Sequence, residues 1–267
     1  MTSVSFDAAR NGFGITGAAR PWLPELGMAV AELGYDQLWA NDTHRGSGLA
    51  TLAAAGRDAP GLQLGVGVVG LSERGPRQIA DEVHELELSV DRLILGVGSG
   101  RSSSLQLVED GVAELRRLIP GVRVCVAALG PQMLRLAGRV GDVVLLNWAN
   151  PQRVEASRER IALGAEEAGR PSPPVAGYVR VAVGTGAEER LADEVERYAR
   201  TGGWYERAIA AQGAGLIGVA CEVAEEVRAA LAPYREALDT CVVRGLPAGD
   251  DLNDWLAIAR AAAPAPP

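Results

Sequence analysis

A chain of 267 residues with 48% hydrophobic and only 4% aromatic residues has the makings of a sizeable α/β interior built from Ala, Val and Leu. Its net charge of −8 argues against a nucleic-acid partner, whose phosphates need a basic face. All 26 basic residues are Arg, so Schiff-base chemistry, pyridoxal phosphate attachment and a Walker lysine are excluded, each of which needs an amine.

In chain order, a first strand is expected over Gly12–Thr16, then a helix over Pro21–Leu33 that Pro21 can open at its first turn. Further strands are expected at Tyr35–Ala40, Leu62–Val69, Arg92–Gly98, Val122–Ala128, Asp142–Trp148, Ala176–Gly184 and Asp239–Gly245. Between them helical patterns fall at Arg77–Leu88, Leu107–Leu118, Met133–Val140, Arg153–Ala168 and Glu222–Leu238. Most strands are continuously apolar, as parallel strands buried on both faces are. Strands and helices alternating at such short intervals imply right-handed βαβ units, and eight of them imply a TIM (β/α)8 barrel. One domain over residues 1–267 is expected, with a disordered tail at 263–267. The interval Gly184–Val223 is expected to hold helices outside the barrel or a lid.

The three cysteines, Cys125, Cys221 and Cys241, form no C-x-x-C pair, and His44 and His84 are the only imidazoles. This usage gives no disulfide framework and no zinc set, and points to a reducing, cytoplasmic compartment. No signal peptide or membrane-spanning run is evident. The stretch "LGVG" occurs at Leu64–Gly67 and again at Leu95–Gly98, one βα unit apart. The second copy continues as Ser99 and Gly100, giving G-x-G-x-G after the fourth strand. A dinucleotide fingerprint needs G-x-G-x-x-G after the first, and its third glycine is here Arg101. Nor is this a nucleophile elbow, since Val97 stands two residues before Ser99. The glycines either let the strand ends turn tightly or let a flat ligand approach the backbone; in a barrel they lie at the face that carries sites.

Two further features stand on their own chemistry. "ALGP" (Ala128–Pro131) sets backbone N–H groups, including those beyond Leu129 and Gly130, at a helix start, which is an anion site. Arg180 interrupts an apolar strand and requires a partner, either a cofactor or substrate anion or a buried carboxylate. Arg244 is a phosphate candidate or a surface residue. Trp204 and Tyr205, in Thr201–Gln212, either cap an apolar substrate or bury a helix, the second being the simpler reading.

The ordered blocks "ELGYDQLWANDTH" (Glu32–His44), "LQLGVGVVG" (Leu62–Gly70), "ELSVDRLILGVGSG" (Glu87–Gly100) and "VAALGPQMLRLAGRVGDVVLLNW" (Val126–Trp148) resemble the bacterial luciferase-like family of flavin- or deazaflavin-dependent oxidoreductases, which are TIM barrels. The resemblance implies a cis peptide bond and bulge at Gly67–Val68 behind the cofactor ring, with Asp42 near the ring or substrate. It also implies that Gly98, Ser99 and Gly100 line the ring, that Gly130 holds the phosphate, and that Asn147 and Trp148 close the sixth strand's end. Thr43 and Arg101 replace a His and a Glu found in several deazaflavin-dependent relatives, so His44 is either the acid–base candidate beside Asp42 or a solvated loop histidine. The insertion after the fourth strand is shortened to Arg101–Gly121, so the mouth is either open or covered by a partner copy in a homodimer.

The implied activity is hydride transfer between coenzyme F-420, a deazaflavin, and a small organic substrate. FMN-dependent monooxygenation and a non-catalytic flavin-binding barrel are the alternatives. A nicotinamide dehydrogenase on an open sheet and a metal-dependent barrel hydrolase also stay open, the latter poorly served by two distant His residues.

Overall fold

The computed structural model describes residues 10–43, 46–201, 203–213 and 215–264. The chain begins with β1 (Arg10–Thr16), α1 (Leu23–Glu32), β2 (Gln37–Asn41), α2 (Gly48–Ala55), β3 (Gln63–Gly70), α3 (Pro76–Glu85), β4 (Leu93–Gly98) and α4 (Leu105–Leu118). It continues with β5 (Arg123–Ala128), α5 (Pro131–Val140), β6 (Val143–Asn147), α6 (Pro151–Glu167) and β7 (Val175–Val183). Then follow α7 (Ala187–Ala199), α8 (Gly203–Ala210), β8 (Val219–Cys221), α9 (Val227–Ala237), β9 (Thr240–Gly245) and α10 (Leu252–Ala261).

Strands β1 to β7 pair in sequence order, and β9 pairs with both β7 and β1, closing a ring of eight parallel strands. This is the TIM barrel expected from the sequence. The short β8, which adds to Val181–Val183 at the end of β7, was not anticipated: three residues carry no readable periodicity. The reduced interval between β4 and β5 holds only a short turn of helix at Gly100–Ser102 and α4.

Alternation along each strand sorts side chains into two layers. Trp39, Ile94, Cys125, Val143, Leu145, Ala176, Tyr178 and Val242 form a cluster that fills the barrel interior. A larger cluster, including Phe13, Leu38, Leu95, Val124, Val144, Val179 and Val243, packs between sheet and helices. Each fully buried aliphatic side chain there contributes about 1.5–3 kcal/mol of transfer free energy. At the closed end Gln37 Nε2 donates to Gln63 Oε1 (3.2 Å) and Trp39 Nε1 donates to Gln37 Oε1 (2.8 Å), so the buried amides are partnered.

Helix starts follow local chemistry. Ser104 Oγ accepts from Leu107 N–H (3.1 Å) before α4, and Asn150 Oδ1 accepts from Arg153 N–H (2.8 Å) before α6. Proline stands in the first turn of α1, α3, α5 and α6. Helices α5 and α6 approach closely: a Cβ on Gly138 would stand 2.0 Å from Ile161 O, and one on Gly164 1.9 Å from Arg135 O. This contact fixes α5, whose first turn faces the open end of the barrel. At the C-terminus Ala263 donates its N–H to Arg260 O and packs against the core; the tail residues 265–267 lie outside the described residues.

Candidate functional site

Because all eight strands run in one direction, their C-terminal ends converge at one face, where a cavity of about 620 Å³ opens. That is within the range of small-molecule sites. Its floor is made where β3 departs from regular pairing. Val66 pairs with Leu95 and Val69 with Val97, so β3 holds one residue more than β4 across this stretch. The extra residue falls at Gly67 and Val68, and the peptide bond between them is cis, as the family resemblance implied. Both residues line the cavity, with Gly98, Ser99 and Gly100 beside them. A Cβ on Gly67 would stand 2.6 Å from Tyr178 Oη and 2.8 Å from Leu145 Cδ2, so only bare backbone fits there.

On the β5 side, Leu129 and Gly130 line the cavity together with Gln132 and Met133 of α5. Gly130 caps α5 and Pro131 opens it. The first-turn N–H groups have no partner within the helix, and its dipole adds partial positive charge. The indole of Trp204 lies against Gly130, 3.0 Å from where a Cβ would be. Trp204 is 47% exposed and lines the cavity with Tyr205, so these residues cap the mouth. The simpler expectation, that they only bury a helix, is corrected. Gln212 holds this cap to the barrel, accepting from Asn150 N–H (2.7 Å) and donating to Trp148 O (2.7 Å).

Asp42 sits at the rim, after β2. Its carboxylate accepts from Gly48 N–H at 2.8 Å and forms an ion pair with Arg74, which also pairs with Glu82. Both its oxygens are therefore oriented by the protein. His44 lies outside the described residues.

The opposite wall comes from β7 and β9. Tyr178 and Arg180 are two apart and face inward, and Arg180 is the register partner of Arg244. Both arginines are buried and line the cavity. The Arg180 guanidinium donates to Asn147 Oδ1 and lies over the rings of Trp148 (4.1 Å) and Tyr198 (5.1 Å). Among the described residues no carboxylate forms an ion pair with it. Arg244 donates to Gly245 O at 2.8 Å, and burial followed by the nearby Arg180 charge pulls its pKa down. It is thus a cavity residue and not a surface one. Burial pushes the Tyr178 hydroxyl up, against the opposing pull of Arg244 and Arg180, so it is a neutral donor, and its oxygen has no hydrogen-bond partner.

The structure brings together every lining residue expected from the sequence except two: His44, outside the described residues, and Trp148. Trp148 adopts φ 54° and is turned under Arg180, away from the cavity wall. The sequence reading missed Tyr178, Tyr198, Asn41 and Met133. Tyr178 had one available signal, its spacing of two from Arg180 on a strand.

The family model described as luciferase-like monooxygenase matches residues 1–109 and 104–240. A 5,10-methylenetetrahydromethanopterin reductase from Methanolobus tindarius is 28% identical over 173 residues, 51% of this chain and 53% of that protein. The chain's match thus spans about half the length of the curated relatives it resembles. In fold, it is similar to an F-420-dependent secondary alcohol dehydrogenase solved with an F-420–acetone adduct (TM-score 0.76, 15% identity, covering 96% of this chain and 99% of that one). It is also similar to the oxygenating constituent of 3,6-diketocamphane monooxygenase from Pseudomonas putida, solved with FMN (TM-score 0.71, 14% identity, covering 96% and 97%). With a family model spanning most of its length and a barrel whose third strand bulges into the cavity, the chain belongs to the luciferase-like monooxygenase family.

Proposed function

We propose that the protein is a deazaflavin-dependent oxidoreductase that moves hydride between coenzyme F-420 and a small organic substrate. The observation that carries this reading is that Gly67, Gly98 and Gly100 present bare backbone beside the α5 N-terminus in one cavity. A flat ring needs such a floor, and a phosphate needs such a helix end. The reductase relatives in sequence, taken with the F-420-bound structural neighbour, support the deazaflavin over FMN. When bound, the cofactor supplies a hydride donor or acceptor at its central ring.

The chain's own residues then bind, orient and exclude water. Gly67 and Val68 would support the ring, Gly98 to Gly100 would line its site, and the N–H groups beyond Gly130 would hold the phosphate. Trp204 and Tyr205 close the mouth. Asp42, fixed by Arg74 and Gly48, sets a negative charge at the rim and with His44 is the proposed acid–base position. Tyr178 Oη keeps its proton and offers a hydrogen bond from the floor. In this reading the enzyme is cytoplasmic and a homodimer, and sedimentation of the purified protein tests the dimer.

FMN-dependent monooxygenation is the second reading, supported by the FMN-bound structural neighbour. Titrating the purified protein with coenzyme F-420 and with FMN, followed by visible difference spectra, separates the two. Saturation by F-420 at lower concentration is expected. Saturation by neither overturns the oxidoreductase reading, and tight binding without turnover over a panel of alcohols and imines leaves a non-catalytic flavin-binding barrel.

A further inference from the structure

We infer that the cross-strand pair Arg180 and Arg244 is a recognition site for a carboxylate carried by the substrate. This deepens the proposed function and rests on it for the position of the cofactor ring.

Two like charges directly opposite on neighbouring strands repel one another, and burial makes unpaired charge costlier. Arg180 and Arg244 combine both conditions: they are register partners, 3% and 6% exposed. Among the described residues Arg180 finds only Asn147 Oδ1 and aromatic faces, and its Nε has no partner. Arg244 finds Gly245 O. Glu194, the carboxylate whose charge reaches Arg244, is already paired with Arg197 at 2.7 Å. The Tyr178 hydroxyl, two residues before Arg180, is a third donor with no acceptor. The wall therefore holds two cations and a surplus of donors around one part of the cavity.

An acceptor-rich anion satisfies all of them, and two planar guanidinium forks suit a carboxylate best. The cofactor phosphate does not fill this role. Its anchor at α5 follows β5, whereas the arginines stand on β7 and β9, two and three strands further round the barrel. Val68, Leu145 and Tyr178 line the same cavity as the arginines, so the substrate is an apolar body with an anionic end.

The test is calorimetric titration of the cofactor-free protein, and of the FMN-saturated protein, with acetate, isobutyrate and benzoate, each against its neutral amide. At low ionic strength at least one carboxylate is expected to saturate, at least tenfold tighter than its amide. Arg180→Met and Arg244→Met should each weaken it at least tenfold. The double variant should melt no lower than the parent, because it removes two buried charges that lack a counter-charge, and should bind FMN within about twofold of the parent.

Absence of saturation by every carboxylate, equal affinity for acid and amide, or unchanged binding in the double variant overturns the inference. So does loss of FMN binding in the double variant with carboxylate affinity intact. Carboxylate binding without any cofactor binding sinks the oxidoreductase reading and leaves this site standing; cofactor binding without carboxylate binding does the reverse.

Discussion

The hydroxyl of Tyr178 occupies the space in which a side chain on Gly67 would sit, 2.6 Å from the missing Cβ. Gly67→Ala must displace Tyr178 or lift the floor, and cofactor affinity is expected to fall at least tenfold. Tyr178→Phe alone removes a hydroxyl that has no partner, so stability should change by less than about 0.5 kcal/mol. The double variant should regain part of the lost affinity, with the remainder set by Leu145, 2.8 Å from the same Cβ. Visible titration and urea unfolding read both effects.

Asp42 and Arg74 form a partly buried pair that links β2 to the segment after β3. Asp42→Asn should cost about 1–2 kcal/mol, because Arg74 keeps Glu82 but loses one counter-charge. In a double-mutant cycle with Arg74→Met, a coupling energy near 1 kcal/mol is expected from urea midpoints. No coupling would mean that the rim is held by Glu82 alone.

Trp204 covers Gly130 yet is half exposed. Trp204→Ala should leave the melting temperature within about 2 °C, since little apolar area is lost. Binding of FMN should quench tryptophan fluorescence less in this variant than in the parent. An equal quench would place the ring away from Trp204.

Cys125 and Cys241 are buried and free. Burial pushes both thiols up, Cys241 to about 12. A disulfide reagent at pH 8 should therefore react with Cys221, which is partly exposed, and reach the other two only on unfolding. The same groups set a stability slope. Unfolded thiols ionise near about pH 8.5, where the native ones still hold their protons, so the native state binds more protons. The thiols' contribution is then constant below that pH and falls as pH rises through about 12, by up to about 1.4 kcal/mol per unit per thiol. Urea midpoints at pH 7.5 and 9.5 check the sign, and a rise would contradict it.

The barrel strands and most of their helices were readable from the chain, because apolar runs, caps and first-turn prolines act over a few residues. The two LGVG stretches were readable as strand mouths, and "ALGP" as a helix start, for the same reason. The resemblance to relatives extended this to Gly67–Val68 and to Gly98, Ser99 and Gly100.

What stayed hidden depends on residues far apart in sequence. Asp42 meets Arg74 32 residues later, and Trp204 reaches Gly130 only when α8 folds over the barrel end. Trp148 was expected beside Asn147 at the end of the sixth strand, and only the fold shows it buried there at φ 54° beneath Arg180. Composition and local pattern alone determined that this is a lysine-free, parallel α/β barrel with glycines at its mouth. Only the tertiary structure decided that Arg180 and Arg244 face each other, since strand register and barrel closure, which no local pattern encodes, set two distant arginines side by side in one cavity.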